Sequence, residues 1–436
     1  MESEYCIDEN VSLHVYPSDY TVEDVIMNKI EANDRNDKED PFFVVNLGRV
    51  EYLYSHWQKL LPSVDPFYAV KCNYDPVLLR TLAALGAGFD CCSEQEINTI
   101  LNLGVDPSRI IYANPCKQNS HIRFAAKVGV KLMTFDDELE LPKVKELFPT
   151  AELVLRIFVD DSTANARQPL GEKFGAEPSD VPHLLLVAKE LNLNVVGVRI
   201  VRNCFHVGHG VKYAVAYANA LALAKDTFVL AEEAGFKMKL LDIGGGYPGL
   251  SHLDSLFKEM ADTINLSLTS LFSSYKDLKI IAEPGNYFAC SSHVLAVNVI
   301  SKKCRTIGSD KKFMYYINDG AYGSLNEFHR ANLIPKLPKD SKDAGLYAST
   351  VWGPTMDSTD KVNENVLLPE LNVGDWLYYE HVGAYTVCFQ TMLCGFPHPV
   401  AYYYCTDKES KVLLKSLGLS KRSNLAIDDH HTKVKN

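Results

Sequence analysis

From residue 65 to residue 285, short apolar runs end again and again in a polar or glycine cluster, and apolar residues at helical spacing usually follow. Short continuous runs bounded by turn residues fit buried strands, and the 3-4 spacing fits amphipathic helices, so the chain predicts repeated strand–loop–helix units. The strand candidates are Phe67–Lys71, Ala87–Asp90, Ile110–Asn114, Lys131–Asp136, Leu153–Arg156, Cys204–Val207, Leu240–Gly244 and Ile280–Glu283. Eight such units predict an α/β fold with a closed parallel (β/α)8 barrel. Between them, Pro76–Gly86 has helical spacing with a glycine stop, and Ser93 three residues before Glu96 predicts a capping box. After Glu283 the texture turns to Val- and Tyr-rich runs such as Phe313–Asp319 and Asp375–Tyr379, which predict a second, β-rich domain of Greek-key type, joined by the N-terminal segment. The expected division is 41–283 for the barrel, 1–40 with 284–405 for the β-rich domain, and 406–436 for a polar tail with the composition of a disordered end.

Charge and cysteine content narrow the class. A net charge of -11 without a long basic run argues against a nucleic-acid partner, and no apolar stretch reaches the length of a membrane span. The acidic start, Met1–Asn10, lacks the basic and apolar regions of a secretory signal. The 11 cysteines are scattered without CxxC pairs or Cys/His ligand spacing, which fits reduced thiols in the cytoplasm and offers no metal site.

A parallel barrel carries its chemistry at the C-terminal ends of its strands, and there the predicted strands place Lys71, Asp90, Asn114, Asp136, Arg156, His206, the glycines after Ile243, and Glu283. A lysine at such an end forms an imine where its surroundings lower its pKa, although a solvated charge is the commoner role. The loop Asp242-Ile-Gly-Gly-Gly-Tyr-Pro-Gly249 lets backbone N–H groups approach a phosphate, and serves equally as a tight barrel turn. His206 has the shape to stack on an aromatic cofactor ring, and Glu283 to pair with a protonated ring nitrogen; taken singly, each is as easily a packed histidine or an ion-paired acid. Their meeting at one barrel mouth is what points to a ring cofactor with a phosphate.

From about Pro41 to Tyr403 the chain resembles the eukaryotic ornithine decarboxylase family, within the barrel-type pyridoxal-phosphate decarboxylases, as a divergent paralogue. The strings that carry the resemblance include PFYAVKCN, AGFDCCSEQEI, RIIYANPCKQ, LLDIGGGYPG, IIAEPG, YYINDGAYGS, VWGPT and VGAYTV. The resemblance implies pyridoxal 5'-phosphate as cofactor and Lys71 as the lysine that binds it. It also implies Glu283 on the pyridine nitrogen, His206 stacked on the ring, and Gly244, Gly245 and Gly246 with Tyr385 at the phosphate. Asp90 and Arg156 then support the lysine side. A homodimer with shared active sites is implied, with Met356 and Asp357 at the positions contributed across the subunit boundary.

Several positions depart from the family. Met356 stands where the family has a cysteine, and a thioether has no proton to deliver to the carbanion left by CO2 loss. Asn286 replaces a phosphate-binding arginine, removing a charge-assisted contact, and His209 replaces a serine of the FHVG loop, where it either offers a compensating donor or faces solvent. The acid that grips the distal amine of ornithine is missing after Ser324, where Arg330 and His329 bring positive charge. Arg199–Asn203 reads as an insertion inside a barrel element, which either flips the side-chain alternation or bulges.

Two functions are therefore expected of such a chain. One is an amino-acid decarboxylase of the polyamine-pathway type whose preference has moved from ornithine toward a neutral apolar side chain such as leucine. The other is a catalytically impaired regulator, like the antizyme inhibitors, that binds antizyme through the segment from Asn114 to Lys143.

Overall fold

The computed structural model describes residues 3–159, 173–201, 210–307, 310–326, 333–339 and 345–419. Its strands are β1 (Ser3–Asp8), β2 (Val11–Tyr16), β3 (Phe42–Asn46), β4 (Asp65–Ala69), β5 (Gly88–Cys91), β6 (Ile110–Tyr112), β7 (Leu132–Phe135), β8 (Glu152–Phe158), β9 (Asn194–Val201), β10 (Leu240–Asp242), β11 (Lys279–Ala282), β12 (His293–Ile307), β13 (Asp310–Ile317), β14 (Tyr347–Trp352), β15 (Lys361–Leu368), β16 (Trp376–Tyr379) and β17 (Val400–Thr406). The parallel strands β4 to β11 close into an eight-stranded barrel in chain order. The remaining strands form one sheet, ordered β1-β2-β17-β3-β12-β13-β14-β15 with β16 paired to β12.

Two apolar layers hold the barrel. Phe67, Ile111, Val154, Val196, Leu240 and Ile281 fill its interior, while the outward faces of the strands pack against the helices through residues such as Phe89, Leu155, Val195, Val198 and Leu241. Burying one such side chain fully contributes about 1.5–3 kcal/mol. The helices start and stop where their sequence dictates. In Pro76–Leu85, the Asp75 side chain accepts from Val77 and Leu78, proline occupies the first turn, and Gly86 ends the helix at φ 105; that conformation costs glycine little. At Glu94–Asn102 the Ser93 side chain accepts from the Glu96 N–H, but the Glu96 carboxylate accepts from the Cys92 N–H at 2.5 Å, so only half of the expected capping box forms.

The sixth barrel strand differs from expectation. It is Asn194–Val201, whereas Cys204–Val207 lies outside the described residues. The run pairs on both sides, Arg199 with Arg156 of β8 and with Asp242 of β10. Leu153 pairs with Val195 and Val154 with Gly197, so Val196 is one extra residue, a bulge. Val196 joins the barrel interior, and Val198 and Ile200 then face the helices. The bulge thereby turns Arg199 inward. The first residues of the presumed insertion, Arg199 to Val201, are thus the end of the strand itself.

The sheet is mixed: β17 runs parallel to both β2 and β3, and β13 runs parallel to β14, where a Greek key would have antiparallel neighbours. Phe42–Asn46 belongs to this sheet, so the residues after Pro41 enter the barrel unit only with the helix Leu47–Leu60. The tail expectation also needs correction. Thr406 and Glu409 form a capping box that opens a helix, Asp407–Leu417, with Leu413 and Leu417 buried. Its apolar stripe is narrow, and burial against the sheet and the barrel's first helices stabilises it in place of composition. Among the described residues no helix is long and apolar enough to cross a membrane, and no group of acids, cysteines and histidines is arranged to hold a metal.

Candidate active site

Successive inward residues of a strand are two apart, so a second layer lies directly above the apolar interior. Above Val154, Leu240 and Ile281 this layer holds Arg156, Asp242 and Glu283, and Asp90 and Arg199 join it from β5 and β9; all five are buried. An ionic layer on an apolar plug has a low local dielectric beneath it, which magnifies both attraction and the cost of an unpaired charge.

Lys71 sits in the single 3-10 turn Val70–Cys72 after β4, and its Nζ pairs with Asp90 Oδ2. The lysine side chain is 40% exposed at the mouth, while that of Asp90 is 0% exposed. Burial works to lower the lysine's pKa, but Asp90 and the other anionic groups carry it well above its ordinary value. The imine chemistry anticipated from a lowered pKa therefore needs a different account, in which Asp90 has the central role. Burial and Glu283 raise Asp90 itself despite Lys71 and Arg199. Lys71 is the stronger base of the two to begin with and is carried well above its ordinary value, so the proton rests on Lys71.

Arg199 is the residue that sequence reasoning missed as a site residue. Its Nε lies 3.0 Å from Glu283 Oε2 and 3.3 Å from Asp242 Oδ2, its Nη1 donates to the Ala113 carbonyl at 3.0 Å, and its Nη2 also pairs with Glu283. Burial opposes its charge, but Glu283, Asp242 and Asp90 hold it on. Burial alone would raise Glu283, yet Arg199 and then Lys71 bring it below the usual carboxylate value. Asp242 goes the other way, pushed well above the usual range by burial and by Glu283. Glu283 Oε1 and Asp242 Oδ2 are both buried without a donor when each acid is ionised, and the two side chains meet. One proton on Asp242 satisfies both oxygens. The signal for this cluster was the one polar side chain in the run Val195-Val-Gly-Val-Arg-Ile-Val201, legible only once the bulge sets the phase.

The glycine loop meets the same layer. Gly244 and Gly246 take φ of 71 and 94, and the Gly244 N–H donates to Asp242 Oδ1 at 2.9 Å. A Cβ on Gly244 would stand 2.7 Å from the Ile200 carbonyl oxygen, and one on Gly245 2.8 Å from that of Glu283. Glycine is thus required by the turn itself, and the same bare backbone is open to a phosphate. Tyr385, at φ 54, comes to the lysine turn through its N–H, which donates to the Cys72 carbonyl at 2.9 Å, and burial pushes its phenol up. Arg156 lies with its guanidinium 4.7 Å from the centre of the Phe174 ring; burial and then Arg199 lower it to about 10, and its Nε is buried without a partner.

The structure therefore brings together Lys71, Asp90, Arg156, Gly244, Gly245, Gly246, Glu283 and Tyr385. Met356 and Asp357 stand apart: Met356 is 93% exposed, and the Asp357 carboxylate accepts from the N–H and hydroxyl of Thr359 at 2.7 and 2.6 Å. His206 and His209 lie outside the described residues, as do His329 and Arg330.

Comparison with known proteins agrees with this geometry. Residues 47–290 match the family described as pyridoxal-dependent decarboxylase, pyridoxal binding domain. Ornithine decarboxylase of Rattus norvegicus is 45% identical over 410 residues, covering 91% of this chain and 87% of the relative. Antizyme inhibitor 2 of Xenopus laevis is 47% identical over 393 residues, covering 88% and 84%. Among solved structures, the arginine decarboxylase of Paramecium bursaria Chlorella virus bound to agmatine superposes with a TM-score of 0.79 at 37% identity, covering 88% of this chain and 100% of that one. The residues present fit pyridoxal phosphate: an amine accessible from the mouth and anchored on a buried acid, a side-chain-free loop beside it, and a buried Arg156 Nε left without a partner. The tension in the fit is at Glu283, whose carboxylate is already engaged by the protein.

Proposed function

The chain belongs to the pyridoxal-dependent decarboxylase family, and from that membership we propose that it removes the carboxyl group of an L-amino acid with pyridoxal phosphate held at Lys71. The observation that carries this reading is the Lys71–Asp90 pair at the barrel mouth, facing Glu283 in the same layer. Bound pyridoxal phosphate supplies a conjugated ring that takes up the electron pair released when CO2 leaves. Before its nitrogen has a lone pair to give, Lys71 must shed a proton, and Asp90 Oδ2 is the acceptor in place for it. Because burial raises Asp90, the carboxyl holds that proton better than an exposed aspartate does. Gly244, Gly245 and Gly246 with Tyr385 would bind the phosphate, Arg156 would order the lysine side, Glu283 would address the ring nitrogen, and His206 would stack on the ring, with His209 near the phosphate. With Met356 unable to donate, Lys71 Nζ, kept charged by Asp90, is the group at the mouth that holds a proton to return.

The substrate reading rests on charge. A guanidinium or imidazolium where the family places an acid would repel a distal ammonium by about 1–4 kcal/mol at close range. That favours a neutral apolar side chain such as leucine over ornithine. The positions of Met356 and Asp357, on the surface and bonded within their own turn, support a homodimer in which they complete the partner's site. Scattered cysteines without pairing support a cytoplasmic setting.

The test is CO2 release from leucine, ornithine, lysine and arginine by the protein loaded with pyridoxal phosphate, against Lys71→Ala. Release from leucine that the variant lacks is the expected result. Release from ornithine alone would overturn the substrate reading. A second reading, a regulator that binds antizyme in the manner of an antizyme inhibitor, is favoured by the Arg199–Glu283 pair together with Met356 and Asn286. Cofactor on Lys71 with no CO2 from any amino acid, and binding of antizyme to the intact protein, would establish it over the first.

A further inference from the structure

Glu283 has two oxygens, and the protein reaches both. Arg199 covers Oε2 with Nε and Nη2, and Asp242 meets the carboxylate from β10 while itself touching Arg199 Nε at 3.3 Å. Arg199 has little freedom to leave. Its Nη1 is bonded to the Ala113 carbonyl, its strand is paired on both sides, and the bulge at Val196 fixes the phase that points it inward. Burial disfavours a protonated pyridine nitrogen, and an anion beside it favours the proton most when its charge is not already spent on another cation. Here the charges facing Glu283 are the Arg199 and Lys71 cations, the Asp90 anion that Lys71 neutralises, and Arg156 beyond Arg199.

We infer that Arg199 and Asp242 together engage the Glu283 carboxylate, so that the ring nitrogen of pyridoxal phosphate held at Lys71 meets a neutralised acid and stays unprotonated. The inference rests on the cofactor reading given above. It makes Arg199 a positioning residue that sets how strongly the ring withdraws electrons: a pyridine without its proton is a weaker electron sink than a pyridinium. Asp242 shares the role, because its side-chain Oδ1 accepts the Gly244 N–H while the proton on its carboxyl is directed at Glu283. A cation built into the strand thus separates this chain's ring chemistry from its lysine chemistry.

The experiment loads the full chain with pyridoxal phosphate carrying 15N in the ring and reads the nitrogen chemical shift by solid-state NMR. Borohydride reduction and mass analysis of the Lys71 peptide report covalent loading independently. The parent is expected to give the unprotonated shift, and Arg199→Ser to move the signal upfield to the protonated one. Arg199→Ser leaves two acids in the barrel without their cation and risks the fold, so Glu283→Gln is the second variant. In it the parent shift is expected to remain, because the carboxylate being removed was not protonating the ring. A protonated signal in the loaded parent that Glu283→Gln abolishes would overturn the inference and leave the decarboxylase reading standing. No reduced adduct at Lys71 in the parent would overturn the decarboxylase reading and this inference with it.

Discussion

The Tyr403 hydroxyl of β17 donates to the buried Asp75 Oδ2 at 2.7 Å, joining the sheet to the helix that follows the lysine turn. The other oxygen of Asp75 caps that helix through Val77 and Leu78 at 3.0 and 2.8 Å. Replacement of Tyr403 by phenylalanine keeps the ring and strands a buried carboxylate oxygen, at a cost of about 1–3 kcal/mol. A lowered urea midpoint with an unchanged denaturant slope is expected; a midpoint within error of the parent would show that water takes over the bond.

Asp90→Asn tests the account of Lys71. Asp90 raises the lysine's pKa against the opposing effect of burial, so its loss lets the amine deprotonate at lower pH. The pH at which borohydride traps half of the cofactor on Lys71 is expected to fall, while adduct formation below that pH slows because the proton acceptor is gone. A midpoint that stays put would mean that Lys71 is governed by some other anion.

Gly244→Ala places a side chain at φ 71 and a Cβ at 2.7 Å from the Ile200 carbonyl oxygen. The left-handed conformation costs about 1–2 kcal/mol for an alanine, before the close contact is relieved. Both thermal stability and cofactor retention on dilution are expected to decline together, since one loop serves the turn and the phosphate. Loss of stability with full retention would confine the glycine to the turn.

Leu413→Ala removes a fully buried side chain from the helix Asp407–Leu417. Large-to-small changes at such positions cost about 2–5 kcal/mol. Urea unfolding is the measurement, and a cost under about 1 kcal/mol would show that this helix docks only loosely.

Much of the barrel was legible because its strands are short apolar runs closed by turn residues, as in Leu240-Leu-Asp242 before the glycines and Ile280-Ile-Ala282 before Glu283. Lys71, Asp90 and Glu283 followed from those strand ends. The sixth strand was not legible in the same way. Its run keeps apolar residues on consecutive positions and contains both Gly197 and Arg199, so neither alternation nor a terminating cluster marks it, and the bulge that assigns its faces depends on pairing with β8. The helix Asp407–Leu417 was obscured by its lysines, although the Thr406 and Glu409 spacing was a cap signal in plain view. Met356 and Asp357 were read from motif position, and motif position carries no information about which copy of a chain they serve.

The bulge at Val196 acts as a phase selector for everything downstream of it on its strand. With the bulge, Arg199 looks inward; were the same residues paired without it, Val198 and Ile200 would, and the centre of the ionic layer would become hydrocarbon. One irregularity of strand pairing, deep in the apolar plug and away from the mouth, therefore decides the electrostatic character of the cavity as thoroughly as several substitutions at the mouth itself.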